Sequence, residues 1–122
     1  MERFLIVVAS GGLGSGARYL VGIATGERTF PAATLIVNLV GSFLIALFLE
    51  LALRSKSLSP NLTLALTTGF MGGFTTYSSF NYQTTALAMN GHTGKAAINV
   101  IVTLSGCILA GLAGIWLARR LA

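Results

Sequence analysis

The chain has 122 residues, of which 54% are hydrophobic and 9% are charged, whereas about a quarter of the residues in a soluble domain are charged. The net charge of +5 is carried in short clusters that flank apolar stretches, and this pattern argues against a nucleic-acid partner. The length accommodates a single domain, residues 1–122, and one cysteine with one histidine excludes the usual zinc sites.

Apolar stretches of about twenty residues, the length that crosses a membrane core of roughly 30 Å, recur along the chain. We predict transmembrane helices at 4–23, 32–53, 62–89 and 96–117. Glycine, proline, serine and asparagine residues occupy the connections between them. The sequence therefore predicts an all-α, multi-pass membrane protein with four transmembrane helices.

The third predicted span differs from the others because three glycines, Gly69, Gly72 and Gly73, lie at its middle. As one continuous helix, its residues would extend to roughly 42 Å, which is too long for an untilted span. A break in a membrane helix is tolerated only where protein or a hydrophilic cavity satisfies the freed backbone groups. We predict two half-helices that meet near the middle of the membrane. A tilted helix with close-packing glycines is the alternative.

Polar residues collect on the faces of the predicted spans, with Thr34, Asn38 and Ser42 one turn apart on the second. No carboxylate or lysine falls at membrane depth, and no nucleophile lies beside a base, so neither a proton-coupled carrier nor an enzyme is indicated. Hydroxyls, amides and aromatic edges suit an anion, whereas freed carbonyls suit a cation. Arg18 is either an interfacial anchor or part of a pore vestibule.

Residues 69–80, GFMGGFTTYSSF, resemble the signature of the Fluc (CrcB) family of small fluoride ion channels. The second span, residues 31–43, resembles the family segment that carries its pore asparagine. Gly11, Gly12, Gly16, Arg18 and Tyr19 follow in the expected order in the first span. The resemblance covers nearly the whole chain.

The resemblance implies a passive, fluoride-selective channel that exports cytoplasmic fluoride across a bacterial-type plasma (inner) membrane. It further implies an antiparallel, dual-topology homodimer with a structural sodium ion at its interface. Backbone carbonyls of Gly72 and Thr75 would bind the sodium, and Arg18 would lie at a pore vestibule. The residues that would line the fluoride pore are Asn38, Tyr77, Ser78, Ser79, Phe80 and Thr103.

Two positions depart from the family pattern. Tyr77 stands where the family usually has phenylalanine, and Asn99 where many members have tyrosine. The Tyr77 hydroxyl could donate to fluoride or face a neighbour, and the partner of Asn99 is left open by the sequence.

Charge gives only a weak preference for one orientation in the membrane. The side that holds the N-terminus would carry five basic residues, and the other side two, or three if Arg18 is counted. The five are Arg3, Arg54, Lys56, Arg119 and Arg120. So small a bias permits dual topology without requiring it.

Two other functions fit the layout of four short helices. A small multidrug-type exporter has a similar size, but it is disfavoured by the missing membrane carboxylate. A non-transporting membrane assembly subunit would account for the glycines, but not for polar residues gathered at a helix break.

Overall fold

Three long helices correspond to the first, second and fourth predicted spans. The computed structural model describes residues 1–55 and 57–122; Lys56, one of the predicted flanking charges, lies outside the described residues. The helices are α1 (Glu2–Thr25), α2 (Ala32–Ser55) and α6 (Thr93–Leu121). Each is long and apolar enough to cross a membrane. They extend up to four residues beyond the predicted bounds, because the polar residues that flank each apolar stretch also adopt helical conformation.

The third predicted span consists of shorter helical segments. Its first half contains α3 (Pro60–Leu64), a π-helical segment (Ala65–Met71) and α4 (Gly72–Phe74), and its second half is α5 (Tyr77–Met89). At the start of α3, Ser59 accepts a hydrogen bond from the Leu62 amide at 3.2 Å, and Pro60 follows at the first helical position. Serine caps and a leading proline both favour helix initiation.

The break in this span is present but lies later than the glycines. Gly72 has helical φ and ψ of −60° and −38°, whereas Thr75 and Thr76 are extended, with φ of −83° and −155°. The predicted break is therefore present, but the chain leaves the helix at the two threonines and not at the glycines before them. A β-branched residue such as threonine tolerates the extended region well, and α5 restarts with Thr76 as its cap.

The glycines instead allow α1 to approach the first half of the broken span. A Cβ atom on Gly73 would lie 2.2 Å from the Gly11 carbonyl oxygen, and one on Gly69 would lie 1.7 Å from the Ser10 hydroxyl. Close packing of glycines and a helix break, which the sequence left as alternatives, therefore coexist. A Cβ on Gly12 or on Gly16, by contrast, would meet no atom within 4 Å in this protomer.

The helices bury polar groups and leave apolar ones outside. The small apolar core contains Val37, Met71 and Phe74, while many leucine and isoleucine side chains are exposed. The buried polar side chains are Thr34, Asn38, Thr67, Asn99 and Thr103. This distribution is typical of helices surrounded by lipid or by a partner subunit rather than by water.

We expect Gly14→Ala to destabilise the protein, because a Cβ there would lie 2.0 Å from the Phe70 carbonyl oxygen. Overpacking of this kind costs about 1–3 kcal/mol or more when backbone must move. The matched control is Gly12→Ala on the same helix, where a Cβ has no neighbour within 4 Å. Unfolding in detergent, followed by circular dichroism, should separate the two variants; equal stability would refute this account of the α1 contact.

Candidate functional site

Asn38 joins the second helix to the break in the third span. Its Nδ2 donates to the Thr76 carbonyl oxygen at 3.0 Å, and its Oδ1 accepts from the Thr76 amide at 2.8 Å. The side-chain amide thus supplies the partner that the Thr76 N–H loses where the helix is interrupted, and it adds a second donor to the Thr76 C=O, the N-cap carbonyl of α5. Asn38 is buried on α2, and the second proton on its Nδ2 remains for a ligand.

The hydrogen bonds of the break also release two carbonyls. Because the Thr76 amide donates to Asn38, the Gly72 carbonyl loses the partner that a continuous helix would supply. The Ser79 amide donates to the Thr76 hydroxyl at 3.2 Å, which frees the Thr75 carbonyl in the same way. These are the two carbonyls that the resemblance assigns to sodium, and their release fits a cation ligand chemically.

A third carbonyl at the break, that of Gly73, is held by α1. Arg18 donates to it through Nε at 3.0 Å, and Ser15 donates through its hydroxyl at 3.4 Å. Arg18 is partly buried, so its charge sits beside the interrupted helix rather than reaching only toward the membrane surface. This contact fixes the guanidinium close to the predicted pore.

We call the pair of hydrogen bonds between Asn38 and Thr76 the Asn38–Thr76 clamp. An open cavity of about 350 Å³, here called the central cavity, is lined by both of these residues. Four predicted pore residues line it: Asn38, Tyr77, Phe80 and Thr103. The lining is otherwise largely apolar and contains no charged side chain among the residues that the structure describes. A few hydrogen-bond donors in an apolar wall are the typical composition of a small-ligand site.

Two aromatic rings form one side of the central cavity. The Tyr77 and Phe80 ring centroids are 5.7 Å apart, and the ring planes are tilted by 53°. Phe80 is buried, whereas Tyr77 is 73% exposed within the protomer. Tilted rings present hydrogen-bearing, electropositive edges, which can approach an anion.

A smaller cavity of about 180 Å³ lies on the other side of the break, and we call it the Arg18 cavity. Arg18, Thr34 and Ser79 line it, together with Gln83. Thr76 lines both cavities. Thr76, the partner of Asn38, is therefore the residue that the two cavities share.

The two predicted serines occupy different positions. Ser79 lines the Arg18 cavity, and its hydroxyl lies 3.1 Å from that of Thr76. Ser78 is exposed, and its hydroxyl lies 3.3 Å from the same threonine oxygen. The structure thus places Ser79 with Thr76 in the wall of the Arg18 cavity, whereas Ser78 lines neither cavity and contacts the Thr76 hydroxyl.

Asn99, whose partner the sequence left open, links α5 to α6. Its Nδ2 donates to the Thr84 hydroxyl at 2.8 Å, and its Oδ1 accepts from Thr103 at 3.4 Å. The side chain is 1% exposed. Asn99 therefore supports Thr103 from behind the central cavity.

These features can be compared with known proteins. Residues 5–115 match the family model described as CrcB-like protein, Camphor Resistance (CrcB). The chain belongs to the CrcB family. The residues of the clamp, the break and both cavities all fall inside the matched region.

Full-length relatives of this CrcB chain carry the name "Fluoride-specific ion channel FluC". The protein from Anaeromyxobacter sp. (strain K) is 46% identical, with 100% of this chain and 99% of the relative covered. The Geobacter sulfurreducens protein is 43% identical over 99% of this chain and 100% of its own length. The Chlorobaculum tepidum protein is 46% identical over 95% and 98%.

Sequence reasoning missed two residues of this CrcB site, Thr76 and Gln83. Thr76 precedes a helix and has a serine three positions later, a spacing typical of a capping residue. Gln83 lies on α5, and its Oε1 is buried without a hydrogen-bond partner among the described residues. Its position one turn beyond Ser79 could have indicated a place on the same face.

Proposed function

We propose that this chain is the protomer of a fluoride-selective channel. The observation that carries the proposal is the Asn38–Thr76 clamp, which holds an amide donor in the wall of the central cavity at a helix break, bonded to a residue that also lines the Arg18 cavity. The name of the full-length relatives supplies the ion. A channel, and not an enzyme, is what that name describes.

The pathway would run from the central cavity past the clamp into the Arg18 cavity. A fluoride ion that leaves water needs replacement donors, since an unpaired charge in an apolar site is very costly. The second Asn38 Nδ2 proton and the edges of the Tyr77 and Phe80 rings would supply them. The Thr103 hydroxyl would add another donor by turning its proton from Asn99 toward the ion. Arg18 adds positive charge at the far side of the break.

Transport in this scheme is passive and follows the electrochemical gradient. Moving one charge through a potential of 100 mV is worth about 2.3 kcal/mol, so an inside-negative membrane drives an anion outward. Export of cytoplasmic fluoride across a bacterial plasma membrane is therefore the direction we propose. The three apolar helices support the multi-pass placement.

We further propose an antiparallel homodimer. The protomer alone exposes Gly72, Ser78 and 73% of Tyr77 along the broken span, and polar backbone facing lipid is unfavourable. A two-fold partner would cover this surface with the same surface of its own. The weak charge bias between the two ends of the chain is compatible with dual topology.

A structural sodium ion at the two-fold axis completes the proposal. Each protomer would contribute the Gly72 and Thr75 carbonyls, which the break has released from helical hydrogen bonding. Four oxygens from two copies suit a dehydrated hard cation. The bound cation would also reduce repulsion between fluoride ions in the flanking pores.

Purified protein in liposomes should release fluoride electrogenically. We expect rapid efflux from fluoride-loaded vesicles when valinomycin and potassium balance the charge, and little efflux without the shunt. The comparison is made against chloride-loaded vesicles and protein-free vesicles. Efflux that needs no shunt, or equal release of chloride, would contradict the proposed function.

A further inference from the structure

A second polar pocket lies at the end of the protein that carries the α5–α6 turn. It has a volume of about 320 Å³ and is lined by Arg28, Tyr82, Asn90 and His92 among others. We call it the His92 pocket. Apart from Gln83, its polar residues do not belong to the site described above.

Two glycine-containing connections bring these side chains together. Gly26, with φ of 70°, ends α1, and the Arg28 Nε donates to the Thr25 carbonyl at 3.1 Å, which fixes Arg28 near that end. Gly91, with φ of 82°, turns the chain after α5, and the His92 amide donates to the Leu87 carbonyl at 2.8 Å. Positive φ is the conformation that favours glycine.

Arg28 and His92 give the pocket its basic side chains, and Glu27, the chain neighbour of Arg28, is not part of the lining. Arg28 is always protonated, and a histidine can gain a charge near physiological pH. Tyr82 and Asn90 add neutral donors. No carboxylate is among the lining residues in the part of the chain that the structure describes. A wet, cationic pocket of this composition attracts small anions.

The pocket adjoins the ion pathway. Gln83 lines both the His92 pocket and the Arg18 cavity. An anion held by Arg28 and His92 would therefore lie next to the end of the proposed path that the Arg18 cavity forms. We propose that Arg28 and His92 form an anion-binding site beside the Arg18-cavity end of the path. This site would concentrate fluoride there, and would do so more strongly when His92 is protonated. This inference rests on the proposed fluoride channel.

Protonation should strengthen binding because it adds a second charge to that of Arg28. Tyr82 lines the pocket with His92, whereas the nearest charged residues in the chain, Glu27 beside Arg28 and Lys95 three residues after His92, do not line it. One exposed ionic contact corresponds to roughly a fivefold change in affinity.

His92 is the one histidine of the chain, and this gives a direct measure of binding. In detergent-solubilised protein without a histidine tag, sodium fluoride should shift the imidazole proton resonances saturably, with about fivefold tighter binding at pH 6 than at pH 8. Sodium gluconate at equal ionic strength is the inert comparison. Arg28→Gln should weaken the fluoride effect about fivefold or more.

Lys95→Gln provides the matched control, since it removes one positive charge from the same end without altering a residue that lines the pocket. It should leave the fluoride response of His92 unchanged. Identical shifts with fluoride and gluconate, or equal effects of Arg28→Gln and Lys95→Gln, would overturn the site. Liposome efflux of fluoride decides the channel proposal separately, because a wild-type protein that conducts but shows no His92 response refutes only this pocket.

Discussion

Replacing Asn38 with alanine should abolish most fluoride flux and also weaken the fold at the break. The Asn38 amide satisfies both the N–H and the C=O of Thr76, at 2.8 and 3.0 Å. Without Asn38 the Thr76 N–H is left unpaired, whereas its C=O keeps the helical bond of an N-cap residue. Leaving a buried polar group unpaired costs about 1–3 kcal/mol, and we expect a loss of that size in unfolding free energy. Loss of a donor to the ion should slow flux at least roughly tenfold.

Because Asn38→Ala has both effects, a second variant is needed to separate conduction from folding. Asn38→Asp can still accept from the Thr76 amide, but it cannot donate to the Thr76 carbonyl, and it places a negative charge in the path of an anion. We expect a smaller loss of stability than in the alanine variant, with flux as low or lower. Liposome efflux and unfolding in detergent measure the two quantities.

Asn99→Ala is the matched control for a buried amide. Asn99 bonds to Thr84 and Thr103 and does not line the central or the Arg18 cavity. Its removal should lower stability by a similar amount while retaining much more flux than Asn38→Ala. If both amide variants lost flux equally, the clamp would have no special role in conduction.

The same assay can show whether the Phe80 ring contacts the ion or only packs. Phe80 is buried and lines the central cavity beside Tyr77. Phe80→Ile preserves an apolar side chain but removes the electropositive ring edge. We expect a severe loss of flux with the protein still folded and still eluting at its native size. Near-normal flux would mean that the ring only packs.

Much of the fold could be predicted because the length of an apolar stretch strongly indicates a membrane-spanning helix. The ranges predicted for the first, second and fourth spans lie within α1, α2 and α6, since the cost of exposing backbone in lipid leaves little alternative to helix. The position of the break could not be predicted as well. Glycine content indicated a break near Gly72 and Gly73, but both residues are helical, and Gly73 packs closely against Gly11 of α1. The chain is extended only at Thr75 and Thr76.

The site residues were less accessible to sequence reasoning than the spans. Helical periodicity placed Asn38 on a polar face, but it could not reveal that Thr76 on another helix is its partner. That partnership depends on where the third span breaks. Gln83 was missed for a similar reason: its importance comes from lying between two cavities, and cavities are made by the packing of distant segments.

The proposed sodium site makes the effect of Gly72→Ala on stability a sensitive test of the dimer. Within one protomer a Cβ on Gly72 meets nothing within 4 Å, and the residue has helical dihedral angles. Gly72→Ala should then be neutral or slightly stabilising in an isolated protomer, because alanine favours helix by up to about 1 kcal/mol. In the proposed dimer the same methyl group would lie where carbonyls of two copies converge, and it would hold them apart.

We therefore expect sodium to strengthen the wild-type dimer and to have little effect on Gly72→Ala. Above the dissociation constant for sodium, each tenfold rise in its concentration should add about 1.4 kcal/mol to the dimer. Dimer dissociation in detergent, measured in sodium and in N-methylglucamine at equal ionic strength, gives this slope. Gly12→Ala, also facing open space, is the control for an added methyl group. A sodium slope that survives in Gly72→Ala would place the cation elsewhere, because the released Gly72 and Thr75 carbonyls cannot converge on one ion with a methyl group between the two copies.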